Sequence, residues 1–152
     1  TGSARSLRWQ NTASTTVQTE QIRVDAPACG TGCGPDDVYR LRAYETTSHI
    51  PRFNNSGSQV TVVVLQNVGS GPVQGRLHFW SAAGALLSTQ TFSVNARGTH
   101  VLLSFNVPAL QGTSGSVTVT HDAPYGMLAG KAVALEPATG YSFDSPMQSR
   151  PR

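Results

Sequence analysis

From residue 60 onward the chain alternates short apolar or period-two runs with clusters of Gly, Asn, Ser and Pro. Val60-Thr61-Val62-Val63-Val64-Leu65 is β-branched and too short for a helix. Asn54-Asn55-Ser56-Gly57 precedes it and Gly69-Ser70-Gly71-Pro72 follows it, so it predicts a buried strand. In the next segment Val73, Gly75, Leu77 and Phe79 alternate with Gln74, Arg76, His78 and Trp80, the pattern of a strand with one face turned inward. Ser81-Ala82-Ala83-Gly84 predicts a turn and residues 86–94 a hairpin partner. Asn95-Ala96-Arg97-Gly98 then leads into 101–105, with Val101, Leu103 and Phe105 on one face, so the three segments read as a meander.

Further strands are expected at 17–24, 38–44, 116–120, 127–135 and 141–143. Residues 127–136 contain good helix formers, but Gly130 interrupts them and Pro137 ends them, which favours a strand. With Gly or Pro in nearly every gap and no helical period, the chain predicts an all-β fold. The expected form is an antiparallel two-sheet sandwich of the immunoglobulin-like or Greek-key type, with about seven to nine strands. The expected organisation is an extended N-terminal arm at 1–16, a single sandwich at 17–144 and a C-terminal tail at 145–152. Within the arm, Leu7 and Trp9 alternate with Arg8 and Gln10 and are candidate contacts with a neighbouring subunit's sheet edge.

Composition narrows the setting. Only 12% of the 152 residues are charged, about half the usual share, whereas Ser and Thr together fill 32 positions. The solvent face is therefore built from hydroxyls and amides, and 38% hydrophobic residues are enough for a real core. No apolar run is long enough for a spanning helix. The net charge of +3 comes from ten scattered Arg and the single Lys131, with no basic block of the kind that phosphate neutralisation needs. Nucleic acid is accordingly not an expected partner.

Cys29 and Cys33 stand in a C-x-x-x-C loop with three glycines, which points to a short-loop disulfide. Neither zinc-ligand spacing nor a redox C-x-x-C is present. A disulfide and a Lys-poor surface both imply an oxidising compartment, and a first residue of Thr1 is what removal of an export leader would leave. Secretion or display on a bacterial cell surface is the expected location.

Catalytic patterns are scarce. G-x-S-x-G is missing, and Gly112-Thr113-Ser114-Gly115 reads as a loop. The eight acids are dispersed. Asp36-Asp37 lacks a calcium ladder and reads as turn capping. No phosphate-cradling glycine loop, metal or cofactor motif is found, so no cofactor is expected. The feature with most chemical content is the stripe Arg76, His78, Trp80, which projects from one side of one strand. Such a stripe can stack on a sugar or anchor a protein partner, or its Trp can simply cover a core edge.

The strand count, Ser/Thr-rich surface and Gly-rich turns are similar to immunoglobulin-like β-sandwich modules of bacterial secreted and cell-surface proteins. The Cys-Trp-Cys pattern of true immunoglobulin domains is absent. Residues 79–87 and 128–137 resemble β-rich domains at the ends of large bacterial exported proteins, a resemblance that implies no activity. The expected function is therefore a non-enzymatic assembly subunit that self-associates as a filament or surface layer. The first alternative is a module for a surface glycan or another exported protein, and the second is a small hydrolase.

Overall fold

Residues 45–149 are described by the computed structural model. In chain order they form β1 (Ser48–Asn54), β2 (Val60–Asn67), β3 (Val73–Ser81), β4 (Leu86–Val94) and β5 (Thr99–Leu103). Two single-turn 3-10 helices follow, Ser104–Asn106 and Pro108–Leu110, and then β6 (Ser114–His121), β7 (Leu128–Glu136), β8 (Tyr141–Pro146) and β9 (Gln148–Ser149). The strands expected at 17–24 and 38–44, the arm with Leu7 and Trp9, and the Cys29–Cys33 pair all lie outside the described residues.

The strands make two antiparallel sheets, ordered β4-β3-β6-β1-β9 and β5-β2-β7-β8, and thus the all-β two-sheet sandwich that the periodicity predicted. Between the sheets lie Ile50, Phe53, Val63, Leu65, Leu77, Phe79, Val117 and Val119, all fully buried. Phe53 and Phe79 meet edge-on, with ring centroids 5.2 Å apart and planes at 89°, the arrangement that aromatic quadrupoles favour. β3 shows the expected alternation, burying Val73, Leu77 and Phe79. Gly75 is required there, because an added Cβ would overlap the Thr120 carbonyl and the ring of Phe92, which lies directly across on β4. The bare backbone makes room for that ring.

The structure departs from the sequence pattern at three places. First, the segment after β4 does not extend a meander: β5 crosses to the other sheet and pairs with β2, Val64 opposite Val101 and Val62 opposite Leu103. The crossing is held by Asn67, fully buried, whose amide donates to the carbonyls of Gly71 and Asn95 at 2.7 and 3.0 Å. Arg97 N–H also donates to the Gly69 carbonyl at 3.2 Å, tying the loop to the turn after β2. Phe105, expected on that strand, lies in the first 3-10 turn.

Second, residues 145–149, within the segment read as the C-terminal tail, are paired onto the sheets. Ser145 is buried and opposite Ala132, and β9 pairs with Ser48 and His49 of β1.

Third, β1 carries no strand signal in its sequence, because Pro51 breaks the pattern. It is accommodated where the β1–β6 register shifts between Ile50 and Phe53, beyond the short reach of β9. At that place no ladder bond from its nitrogen is needed.

Candidate functional site

The outer face of the five-stranded sheet carries the stripe. β3 lies between β4 and β6, so each outward residue has a neighbour on both sides. Arg76 stands between Thr91 and Thr120, and His78 between Thr89 and Thr118. Trp80 is flanked by Leu86, past a bulge in β4, and by Ser116. Arg76 is exposed, while His78 and Trp80 are half-buried.

Their orientation is set by hydroxyls. The Trp80 indole N–H donates to Thr118 Oγ1 at 3.1 Å, and His78 Nδ1 lies 3.2 Å from Thr89 Oγ1. Trp80 thus has its polar tip satisfied on the outer face and takes no part in the buried core cluster. Burial, and after it the positive charge of Arg76, holds the His78 imidazole below its usual pKa, so that it is neutral at pH 7.

One neighbour could not be found from sequence. Thr118 of β6 is opposite His78 on one side and His49 of β1 on the other, which extends the rung to Thr89-His78-Thr118-His49. With strands spaced ~4.8 Å apart, the backbones of the two histidines sit about 10 Å from each other. No group of three or more His, Cys, Asp or Glu converges among the described residues.

A groove of about 380 Å³ opens beyond Trp80, where the bulge of β1 meets the end of β3 and the start of β6. Ser81, Ser114 and Ser116 line it with hydroxyls, and Pro51, Phe53 and Ala82 with apolar surface. Gly115 brings its backbone against the Trp80 carbonyl, an approach that a Cβ would block. Arg52, also in the lining, has its guanidinium over the Phe143 ring, 5.5 Å from the centroid. Hydroxyls and one guanidinium can hydrogen-bond a polyol or a peptide backbone, but this lining contains no carboxylate or imidazole for acid–base work.

The edges of the sandwich form the other candidate surface. Among the described residues β4 ends the larger sheet, and its sequence, Leu-Leu-Ser-Thr-Gln-Thr-Phe-Ser-Val, contains neither a charge nor a proline. Its one bulge is confined to the hairpin end, which leaves residues 88–94 regular. The other long edge, β8, carries Asp144 and Pro146, and the β1 side carries Pro51, Arg52 and a bulge. Charge, proline and bulges are the usual means of preventing edge-to-edge pairing, and β4 has them only at its first residues.

Comparison with protein families, curated proteins and solved structures finds no match to this chain.

Proposed function

We propose that the chain is a secreted, non-enzymatic structural subunit that associates with copies of itself through open sheet edges. The observation that carries this reading is β4, an edge strand with a regular, uncharged, proline-free stretch at 88–94 and unpartnered among the described residues. Its Thr, Phe and Val favour extended backbone, and its outer N–H and C=O groups, which no described strand pairs, would template a second chain. A low charge density weakens the repulsion between like copies, and a hydroxyl-rich surface keeps the subunit hydrated. A secreted location rests on the Lys-poor composition and the Cys29/Cys33 spacing.

Electron microscopy and light scattering on the full chain test this reading, beside Thr91→Glu. Thr91 faces Arg76 across the hairpin, so the new carboxylate gains a partner on β3 while charging the edge. The expected result is a concentration-dependent assembly that Thr91→Glu disrupts. A wild-type chain that stays monomeric overturns the proposal.

The outward placement of Arg76, His78 and Trp80 favours a second reading, a module for a surface glycan or an exported protein partner. A glycan screen with Trp80→Ala tests it, and stacking predicts loss of binding with the fold retained.

A further inference from the structure

The outer face of the four-stranded sheet gathers three exposed aliphatic side chains, Val101, Leu103 and Leu135. Its central rungs read Val101-Val64-Lys131-Pro146 and Leu103-Val62-Val133-Asp144 from β5 to β8, and Leu135 lies one rung further along β7. Val101 is 54% exposed, Leu103 41% and Leu135 38%, so each leaves a large part of its apolar surface in water that a partner could cover. Only two charged side chains project from this face among the described residues, and they are of opposite sign: Lys131 Nζ lies 2.6 Å from Asp144 Oδ2. Both are about half exposed.

A patch with one cation, one anion and otherwise aliphatic rungs is complementary to itself. From this we infer that the face packs against the same face of a second copy as a two-fold dimer, an inference that rests on the self-association proposed above and adds a second contact to it.

The rung geometry specifies the arrangement. A two-fold axis across the strands, midway between the two central rungs, sets Val101 against Leu103 of the second copy and Val64 against Val62 of the second copy. Lys131 then stands one strand spacing, about 4.8 Å, from the position opposite Asp144 of the second copy, within reach of its flexible stem. Each ion pair is thereby exchanged or shared between copies. Lys131 then lies over Val133 of the second copy and Asp144 over Pro146, so each charge must lean by one strand to meet its counterpart.

The area sets the strength. Each outward residue covers about 32 Å² of flat sheet, so four strands of three or four outward residues supply on the order of 450 Å² per copy. The two copies together cover about 900 Å², just below the range of stable specific interfaces, which predicts a weak, reversible dimer that dissociates on dilution.

The test is sedimentation velocity and native mass spectrometry of the full chain in the Thr91→Glu background, in which β4 pairing is blocked. A dimer is expected there at high micromolar concentration. Lys131→Glu should weaken it at least tenfold, because the new carboxylate would then meet Asp144 of the second copy, and Asp144→Lys should do the same with two cations. Mixing the two variants should restore a heterodimer, a rescue that an ion pair within one chain cannot produce.

Circular dichroism serves as the check on folding, and Val101→Glu is the substitute if a charge variant fails it. A Thr91→Glu chain that is monomeric while the wild type assembles overturns this inference alone, as does a dimer indifferent to all three face variants. A wild-type chain that is monomeric at every concentration overturns both the inference and the reading beneath it.

Discussion

Replacing Asn55 by Ala tests the polar anchor at the point where β5 ends. β2 starts two residues before its pairing with β5 begins at Val62, so Thr61 has no β5 partner on that side. Two side chains take its place: Asn55 Oδ1 accepts from the Thr61 N–H at 2.8 Å, and Ser104 Oγ donates to the Thr61 carbonyl at 2.8 Å. The amide of Asn55 also donates to Ser104 Oγ at 3.1 Å and to the Leu110 carbonyl at 3.2 Å.

In Asn55→Ala the Leu110 carbonyl keeps the Thr113 hydroxyl at 2.9 Å, and Ser104 keeps Thr61. Only the Thr61 N–H is orphaned, in a residue that is fully buried. An orphaned buried donor costs about 1–3 kcal/mol and each other lost bond ~0.5–1 kcal/mol, so the expected destabilisation is about 3 kcal/mol.

Urea unfolding followed by tryptophan fluorescence measures it. With an m-value of about 2 kcal/mol/M the midpoint should fall by roughly 1.5 M. Because Asn55 and Ser104 serve the same residue, Asn55→Ala/Ser104→Ala should depart from the sum of the single variants by at least ~0.5 kcal/mol. A change below ~0.5 kcal/mol in Asn55→Ala, or strict additivity, would refute the account of a substituted ladder.

Other positions give independent checks. Gly75→Ala should destabilise the fold by about 2 kcal/mol or more, read from the same urea titration, since its Cβ meets backbone at the Thr120 carbonyl as well as the Phe92 ring. Phe79→Ala should cost about 3–5 kcal/mol, measured as a fall in thermal midpoint, because the ring is fully buried against Phe53. Burial lowers the pKa of His78, His100 and His121, with Arg76 adding to the effect at His78 and Asp122 opposing it at His121. The unfolded chain therefore takes up protons first, near pH 6.5, so stability is full above that value and is lost as pH falls through the lowered folded-state values. Urea midpoints between pH 8 and 5 should show this decline, and His121→Gln should flatten it, since His121 Nδ1 is buried without a hydrogen-bond partner.

Much of the candidate site was legible because it depends on one period. The alternation of Val73, Leu77 and Phe79 with Arg76, His78 and Trp80 is a local property of extended backbone, and the structure turns those three outward as the pattern requires. The partners of the stripe were not legible. Thr118 lies beside His78 on β6 and His49 one strand further on β1, the first distant in sequence and the second on a strand disguised by Pro51. The apolar outer face was hidden in a different way. A run such as Val-Thr-Val-Val-Val-Leu reads as covered on both sides, whereas the structure buries Val63 and Leu65 and leaves Val62 and Val64 beside exposed Val101 and Leu103.

Sequence by itself determined that this chain makes strands, where most of them start and stop, and which face of β3 goes inward, since β-branched runs, period-two alternation and Gly/Asn/Pro turns act within a few residues. Only the tertiary structure decided which sheet each strand joins. Asn95-Ala96-Arg97-Gly98 has the composition of a hairpin turn, yet Asn67 holds its carbonyls from 28 residues away and sends β5 across the sandwich. The same non-local step leaves β4 without a second strand partner among the described residues and gathers the valines and leucines of β5, β2 and β7 into one face. Hydrogen-bond partners and packing neighbours distant along the chain make that choice, and a local pattern carries no record of them.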